Sequence, residues 1–198
     1  MTALYKGLML VVIVAVGIIK PVMATEFQKV YFAGGCFWCM EPVFDIIPGV
    51  TDTVVGYMGG DKTTANYSMV SSGKTQHIET IEVTFDPEKV SYRTLLDAFW
   101  RSIDPTDQYG QFADKGPHYQ TAIFVASIDQ QEEAQRSLED LAKLRKFKDP
   151  IVTKILPVEP FFPAEEYHQN YYQKNAVHYN AYKIGSGRAG FLEKVWKK

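Results

Sequence analysis

Apolar and polar residues recur along the chain with the periods of extended strands and of helices. Residues 78–85 alternate strictly, so that Ile81, Val83 and Phe85 share one face with Glu79. Shorter apolar runs between Gly and Pro residues have the same extended character. Together these patterns predict strands over residues 29–33, 50–57, 78–85, 121–126 and 151–156.

Three other segments repeat their apolar residues every three to four positions, which is the period of an α-helix. In the second of these segments Leu95, Leu96, Phe99 and Trp100 form the apolar stripe. The first segment follows a Gly-Gly break and ends before a Pro-Gly pair, both of which interrupt regular structure. The predicted helices cover residues 36–47, 91–103 and 129–146.

The predicted elements follow one another in the order βαββαβαβ. This order predicts an α/β (α+β) two-layer sandwich, in which helices pack on a mixed sheet with a ferredoxin-like βαββαβ core. Residues 59–77 and 104–120 have no periodicity and predict two long loops, and loops of that length are usually functional. The tail beyond Phe161 predicts irregular structure with one short helix over residues 164–171.

The first 24 residues differ from the rest of the chain. Lys6 precedes an uninterrupted apolar run over residues 8–19, which is shorter than the roughly 20 residues that span a bilayer. Residues 22–24 (Val-Met-Ala) fit a small-residue cleavage site. We therefore expect residues 1–24 to be a secretory signal peptide and residues 25–198 to form a single domain. The protein would then be periplasmic or secreted, whereas an uncleaved signal would anchor it to the membrane.

The composition narrows the classes of partner. Apolar residues make up 46% of the chain and charged residues 22%, as in ordinary soluble domains. The net charge of -2 provides no attraction to a polyanion, so we exclude nucleic acid as a partner. We also expect a monomer. Aromatic residues reach 14%, a surplus that either fills the core or lines a pocket.

The two cysteines of the chain, Cys36 and Cys39, stand at the predicted start of the first helix. A structural disulfide across so small a loop would stabilise the fold little. A metal site would need more ligands than this pair and four scattered His residues provide. A redox role fits better, because free N–H groups and the helix dipole favour a thiolate at Cys36. Cys39 lies within disulfide reach and could resolve an oxidised Cys36.

Three further residues suggest chemistry beside the cysteines. Phe37 and Trp38 either pack in the core or form an apolar recess for a small methyl-bearing group. Glu79 lies on the apolar face of its strand, where burial would raise the pKa of its carboxyl and suit it to general-acid catalysis. An exposed Glu79 or a simple salt bridge is the alternative. Glu82 lies on the opposite face and is expected to be exposed.

The two predicted loops add polar candidates. Tyr67 and Tyr119 could donate hydrogen bonds to a developing oxyanion, although packing is the commoner role of a loop Tyr. Asp114 could orient the second loop. His77 and His168 are expected to be structural.

At this point the residues resemble a known family, peptide methionine sulfoxide reductase A. Gly35-Cys36-Phe37-Trp38 is similar to the signature of that family. Further similar segments follow in order and cover nearly all of residues 25–198. They are residues 56–60 (Gly-Tyr-Met-Gly-Gly), 66–67 (Asn-Tyr), 77–79 (His-Ile-Glu), 102–106 (Ser-Ile-Asp-Pro-Thr), 110–116 (Gly-Gln-Phe-Ala-Asp-Lys-Gly), Tyr119 and 164–169 (Ala-Glu-Glu-Tyr-His-Gln).

The resemblance implies a two-layer α/β sandwich and a role for each candidate residue. Cys36 would be the nucleophile and Glu79 the acid that protonates the sulfoxide oxygen. The remaining candidates would bind the substrate: Phe37 and Trp38 its methyl group, Tyr67 and Tyr119 its oxygen, with Asp114 supporting the site. The enzyme would reduce the S epimer of methionine sulfoxide, protein-bound and possibly free, through a Cys36 sulfenic acid. It would repair proteins after oxidative stress, with an external thioredoxin-like dithiol and no metal, flavin or nucleotide cofactor.

The sequence departs from the family at Cys39. Many members have Gly there and resolve with cysteines near the C-terminus, but no cysteine follows Cys39 in this chain. Cys39 is therefore the one internal candidate for resolution. Two other functions remain open: a thioredoxin-like disulfide oxidoreductase that uses Cys36 and Cys39 without needing Glu79, and a non-catalytic peptide-binding domain that would tolerate Cys36→Ser.

Overall fold

The computed structural model describes residues 26–197, so the expected signal peptide over residues 1–24 lies outside the described part. The elements, in chain order, are β1 (Gln28–Gly34), α1 (Phe37–Asp45), β2 (Val50–Met58), α2 (Tyr67–Ser71), β3 (Ile78–Phe85), α3 (Tyr92–Trp100), β4 (Gly110–Gln111), β5 (Asp114–Lys115), β6 (Thr121–Val125), α4 (Ile128–Lys143), β7 (Lys154–Pro157), β8 (Phe162–Pro163), α5 (Tyr171–Lys174), α6 (Ala176–Gly185) and α7 (Arg188–Trp196). Short 3₁₀ turns lie at Lys62–Thr64, Pro117–Tyr119 and Glu166–His168.

Within the described residues the main sheet has the strand order β7-β6-β1-β3-β2-β8. β1 runs antiparallel to both β3 and β6, and β2 runs antiparallel to β3. This is the arrangement of a ferredoxin-like βαββαβ core. β7 joins β6 in parallel, which makes the sheet mixed. The predicted fold class is confirmed.

The helices α1, α3 and α4 enclose the main core against one face of the sheet. At its centre the ring of Phe32 stacks between those of Phe44 and Phe99, at centroid distances of 5.0 and 5.1 Å. The stripe predicted for α3 from Leu95 to Trp100 is buried in this core. Each such side chain contributes about 1.5–3 kcal/mol when fully buried, and this apolar face therefore fixes the helix on the sheet.

The opposite face of the sheet is covered by aromatic side chains. Phe161, in the segment after β7, packs on Tyr31 at 5.6 Å and over Gly56, where a Cβ atom would lie 2.5 Å from its ring. Glu82 lies on this covered face and is only 8% exposed. Lys29 and the Tyr31 hydroxyl donate hydrogen bonds to its carboxylate at 2.7 and 2.8 Å. The expectation that Glu82 is exposed is wrong, because a segment distant in sequence returns across this face.

The regions without periodicity contain short elements. The first predicted loop includes α2, and the second includes the β4–β5 hairpin. The tail forms α5, α6 and α7, so the prediction of one short helix over residues 164–171 is wrong. In α6 the apolar Val177 and Ile184 are 88% and 71% exposed. The apolar residues of this helix therefore do not mark its buried face, and the sequence pattern does not predict the helix. No helix of residues 26–197 is long and apolar enough to cross a membrane.

Candidate active site

The candidate residues lie together at one edge of the main sheet. Because neighbouring strands are antiparallel, the C-terminal end of β1 lies beside the N-terminal ends of β3 and β6. Cys36 follows β1, Glu79 lies near the start of β3, and Tyr119 precedes β6. Both of the predicted loops also begin or end at this edge. The sheet topology therefore joins segments that are far apart in sequence.

A tight turn places Cys36 between β1 and α1. Gly35 has φ of 81°, a left-handed conformation that favours glycine, and a Cβ atom there would lie 2.5 Å from Gln111 Cβ. Cys36 is the N-cap residue, so α1 begins one residue later than predicted. Its carbonyl accepts a hydrogen bond from the Cys39 N–H at 3.0 Å, and its side chain is only 6% exposed. Both cysteines are buried free thiols.

Glu79 is buried beside this turn, as its strand periodicity predicts. Its carboxyl is 2% exposed and accepts a hydrogen bond from the Phe37 N–H at 3.0 Å. Burial raises the pKa of Glu79 to about 8, although the Phe37 hydrogen bond opposes this rise. The charge of Asp114 adds to the increase. Glu79 therefore holds a proton at neutral pH and can deliver it to a bound group.

The pKa values of the two thiols are shifted in opposite directions. Burial, a hydrogen bond with Cys39 and the charge of Glu79 raise the pKa of Cys36 well above its ordinary value. The hydrogen bond from Cys36 lowers the pKa of Cys39, against the effect of burial, and Arg188 lowers it further. At Cys36 the effect of burial on the pKa therefore outweighs the expected effect of the helix dipole. The Phe37 N–H of the first helical turn binds Glu79 instead of stabilising a Cys36 thiolate.

Tyr67 and Tyr119 face the same centre. Burial raises the pKa of both phenols, and the next causes are the charges of Glu79 and Cys36. Both hydroxyls thus stay protonated and can donate hydrogen bonds. The Tyr67 backbone N–H binds Glu165 Oε1 at 2.9 Å, which ties α2 to the tail. The structure brings these loop residues together with the cysteines.

His168 organises the aromatic side of the site. Its Nδ1 accepts a hydrogen bond from the Trp38 indole N–H at 3.0 Å, and the Trp38 ring stacks on Tyr171 at 3.8 Å. Phe37 is 1% exposed and packs between His168 and Tyr57, at centroid distances of 5.0 and 6.0 Å. Trp38 is half-buried. Of the two aromatic candidates, Trp38 thus remains accessible while Phe37 belongs to the core. The prediction of a structural role fits His168.

The tail contributes Tyr182, which the sequence analysis missed. Its hydroxyl donates a hydrogen bond to Asp114 Oδ2 and lies within hydrogen-bonding reach of the Cys36 sulfur. Its ring also meets the edge of Trp38 at 6.2 Å. Tyr182 lies 146 positions beyond Cys36 in the sequence numbering, and no local pattern marks it.

Arg188 is a second residue that the sequence analysis missed. Its side chain is 2% exposed and donates to the carbonyls of Ser102 and Gly34 at 2.6 and 2.9 Å. Within the described residues no carboxylate forms an ion pair with it. A buried cation close to the thiols favours negative charge on Cys39. A single Arg after Gly-Ser-Gly was the only signal in the sequence.

Comparison with known proteins identifies the site. A family model described as peptide methionine sulfoxide reductase matches residues 28–198. The chain belongs to this family. It is 51% identical to the reductase MsrA of Bacillus subtilis, with 88% of this chain and 98% of the relative aligned. The MsrA of Bacillus pumilus is 47% identical, again over 88% of this chain and 98% of the relative.

Solved structures of the reductase family have the same fold. Reduced Mxr1 from Saccharomyces cerevisiae matches with a TM-score of 0.72 at 30% identity, over 81% of this chain and 93% of that one. Methionine sulfoxide reductase A of Corynebacterium diphtheriae matches with a TM-score of 0.67 at 31% identity, over 76% of each chain.

The protein is accordingly a peptide methionine sulfoxide reductase, an oxidoreductase that returns oxidised methionine to methionine and so repairs proteins. Reductases of this family use thiol reductants such as thioredoxin and no prosthetic cofactor. Among residues 26–197 no group of three His, Cys, Asp or Glu side chains could hold a metal ion. The family match favours this activity over the alternative of a thioredoxin-like disulfide oxidoreductase.

Proposed function

We propose that the protein reduces the S epimer of methionine sulfoxide in proteins and peptides, with Cys36 as nucleophile and Glu79 as acid. One observation carries the proposal: the buried Glu79 carboxyl accepts a hydrogen bond from the backbone N–H of Phe37, the residue next to the buried Cys36 thiol. A sulfoxide oxygen leaves poorly unless it is protonated. The site thus pairs the group that attacks sulfur with the group that activates oxygen.

The reaction moves one oxygen and two electrons. The Cys36 thiolate attacks the sulfoxide sulfur while Glu79 protonates its oxygen, which Tyr67 and Tyr119 hold by hydrogen bonds. The hydroxyl passes to the Cys36 sulfur, and methionine leaves as the thioether. The sulfoxide sulfur is reduced by two electrons, and Cys36 is oxidised by two to a sulfenic acid.

Selection of one epimer follows from the asymmetry of the site. The oxygen binds on the side of Glu79, Tyr67 and Tyr119, while the methyl group lies against Trp38, with Phe37 behind it. Cys36 attacks the sulfur from one side. Once the sulfoxide oxygen and the methyl group are also placed, only one direction remains for the rest of the substrate. A site of this kind accepts one configuration at sulfur, in keeping with one enzyme for each epimer.

Cys39 completes the cycle in this proposal. It is hydrogen-bonded to Cys36, and the chain has no cysteine other than these two. Its thiolate attacks the Cys36 sulfenic acid, and the disulfide forms as water leaves. A thioredoxin-like dithiol then reduces this bond by exchange. For the yeast protein Mxr1, a crystal structure of its complex with Trx2 is known.

We also propose that the reductase acts as an exported monomer after removal of residues 1–24. The apolar run over residues 8–19 supports export and cleavage, and the matched family region starts beyond it, at residue 28. Expression of the full chain with recovery from the periplasm should give an intact mass that begins at Thr25. A mass that includes Met1 would contradict cleavage, and size-exclusion chromatography with light scattering tests the monomer.

The activity is tested with the two separated epimers of a methionine sulfoxide peptide and dithiothreitol as reductant. We expect turnover of the S epimer alone, and none with Cys36→Ser. Equal use of both epimers would refute the proposed selectivity. Activity that survives in Cys36→Ser would remove Cys36 from the mechanism, and peptide binding without turnover would support a non-catalytic domain.

A further inference from the structure

One carboxylate of the tail, that of Glu165, joins two segments of the active site. Its Oε1 accepts a hydrogen bond from the backbone N–H of Tyr67, and its Oε2 accepts one from the hydroxyl of Tyr57, each at 2.9 Å. Tyr67 begins α2, and Tyr57 lies near the end of β2. A residue 98 positions beyond Tyr67 therefore connects the short helix of the first loop with the main sheet.

The helix that carries Tyr67 depends on such external contacts. It has only five residues, too few for a helix that is stable by itself. Backbone N–H groups in a first helical turn have no partner within the helix. The Asn66 side chain accepts a hydrogen bond from the Met69 N–H at 3.1 Å, and Glu165 accepts that of the Tyr67 N–H. The place of Tyr67 is thus set partly by the tail.

The segment that carries Glu165 is itself fixed on β2. The Ala164 N–H donates a hydrogen bond to the Val55 carbonyl at 2.9 Å. The Gln169 side chain binds the N–H and the carbonyl of Val55 at 2.9 and 2.8 Å, and the carbonyl of Ala164 at 2.9 Å. Glu165 therefore extends from a backbone that is bound to the sheet on both sides of it, so it can fix Tyr67 relative to the sheet.

We propose that Glu165 is a positioning residue that holds Tyr67 where its hydroxyl binds the sulfoxide oxygen. The inference rests on the proposed function of the same site, in which Tyr67 and Tyr119 are the two donors to that oxygen. Tyr119 directly precedes the end of a sheet strand, β6, whereas Tyr67 lies on the short α2. A donor lowers the barrier only if it is already aimed at the developing charge. In this role Glu165 acts through Tyr67 and does not touch the substrate.

The ionisation of Glu165 fits the two donors that it binds. Burial raises the pKa of its carboxyl, but hydrogen bonds from the backbone N–H groups of Tyr67 and of Glu165 itself, and from the Tyr57 hydroxyl, bring this pKa below its ordinary value. An ionised carboxylate has only acceptors, so each of its two oxygens can serve one of these donors.

The competing explanation is that Glu165 acts by its charge on His168. The Nε2 atom of His168 lies 4.0 Å from Glu165 Oε2, which is longer than a hydrogen bond but close enough for electrostatic attraction. His168 in turn accepts the hydrogen bond from the Trp38 indole. On this explanation the negative charge of Glu165 matters, and its two hydrogen bonds do not.

The decisive measurement is the single-turnover rate of methionine formation from the S epimer. Tyr67→Phe removes one donor to the oxygen and should slow this rate by about 10²–10³-fold. Glu165→Ala should slow it by about 10²-fold, the scale of a displaced active-site group. If Glu165 acts through Tyr67, adding Glu165→Ala to Tyr67→Phe should cause no further loss. Two independent roles would instead multiply the two losses.

Two conservative variants separate position from charge. Glu165→Gln loses the charge but keeps the length, and its amide oxygen can accept from the Tyr67 N–H while its NH₂ group donates to the Tyr57 hydroxyl. Its rate should stay near native. Glu165→Asp keeps the charge but shortens the side chain by one methylene, so it cannot reach both donors. Its rate should approach that of Glu165→Ala.

Glu166→Ala is the matched control. Glu166 is the next residue of the tail, but its exposed carboxylate binds Lys174 at 2.8 Å and neither of the two tyrosines. We expect its single-turnover rate to equal that of the native enzyme.

The outcomes separate the positioning role from the activity itself. A native enzyme inert towards both epimers would refute the proposed function. With an active native enzyme, a near-native rate in Glu165→Ala, or losses that multiply with Tyr67→Phe, would overturn the positioning role. A slow Glu165→Gln or a near-native Glu165→Asp would also overturn it, and both together would assign the effect to charge. If circular dichroism shows Glu165→Ala unfolded, Glu165→Asp takes its place in the double variant.

Discussion

Glu79 is the residue in which burial and chemistry are most directly linked. Its carboxyl has a pKa of about 8 because it is buried. In Glu79→Gln an amide replaces the acid, so methionine formation in a single turnover should slow by about 10²–10⁴-fold. The native rate should fall as pH rises through about 8, where Glu79 loses its proton, and the variant should lack this fall. Stopped-flow or rapid-quench measurements over pH 6–9 test both expectations.

Glu82 provides the matched control for that experiment. It lies on the same strand but on the other face, where Lys29 and Tyr31 bind its carboxylate. Glu82→Gln should weaken this buried pairing and reduce the free energy of unfolding while the rate stays near native. A similar loss of rate in both variants would contradict the role assigned to Glu79.

Cys39 can be tested by stopping the cycle after one turnover. Cys39→Ser should still release one methionine per enzyme, because Cys36 and Glu79 remain, but recycling by thioredoxin should fail. Mass spectrometry without reductant should show the native enzyme lighter by two hydrogens and the variant heavier by one oxygen. A persistent sulfenic acid in the native enzyme would rule out Cys39 as the resolving residue.

At the scale of elements, α7 is held to the active-site turn by one buried side chain. Arg188 donates to the carbonyls of Gly34, at the end of β1, and of Ser102, after α3. Arg188→Met keeps much of the side-chain volume but leaves both carbonyls without this partner. We expect the free energy of unfolding to fall by about 2–6 kcal/mol, since each of the two buried carbonyls left unsatisfied costs about 1–3 kcal/mol. Urea denaturation measures the change.

Lys194→Met is the control for α7, because Lys194 lies on the same helix with its side chain exposed. A surface substitution of this kind should change the free energy of unfolding by no more than about 0.5 kcal/mol. Equal effects of the two substitutions would show that Arg188 does not anchor the helix. A larger effect at Arg188 would connect the last helix with the position of the catalytic turn.

At the scale of the whole molecule, two buried acids make stability depend on pH. Burial raises the pKa of Glu79 to about 8 and that of Glu41 to about 7, from an ordinary value of 4.5. Below pH 4.5 both stay protonated in the folded and unfolded chain. Above it the unfolded chain releases protons that the fold retains, so the free energy of unfolding falls until about pH 8. Each pKa unit corresponds to about 1.4 kcal/mol.

Urea denaturation at pH 5.5, 7 and 8.5 should therefore give decreasing free energies of unfolding in the native protein. Glu41→Gln removes one of the two titrating groups and should flatten the part of this decrease below about pH 7. The exposed Glu159→Gln should leave the decrease unchanged. A slope in Glu41→Gln equal to the native slope would show that Glu41 is not a source of the effect.

The sequence alone determined the order of the main strands and helices along the chain, the core face of β3 and the position of the cysteine pair. The alternation or helical spacing of apolar residues reflects which of them are shielded from water. This pattern depends on only a few neighbouring residues, so the bounds of β3 were predicted correctly. Gly34-Gly35 marked the turn before Cys36 for the same local reason. The segments from Cys36 to Gln169 also resembled a reductase family, and comparison of the whole chain confirmed that family.

The tertiary structure decided how distant segments act on these residues. Phe161 returns over the sheet and buries Glu82, while α6 and α7 bring Tyr182 and Arg188 to the cysteines. The charge distribution of the thiol pair also depends on this packing, because burial opposes the helix dipole at Cys36. The spacing of apolar residues predicts which face of one helix or strand is buried. It does not predict which remote side chain packs against that face. Electrostatics and hydrogen bonds depend on those partners, and only the folded chain supplies them.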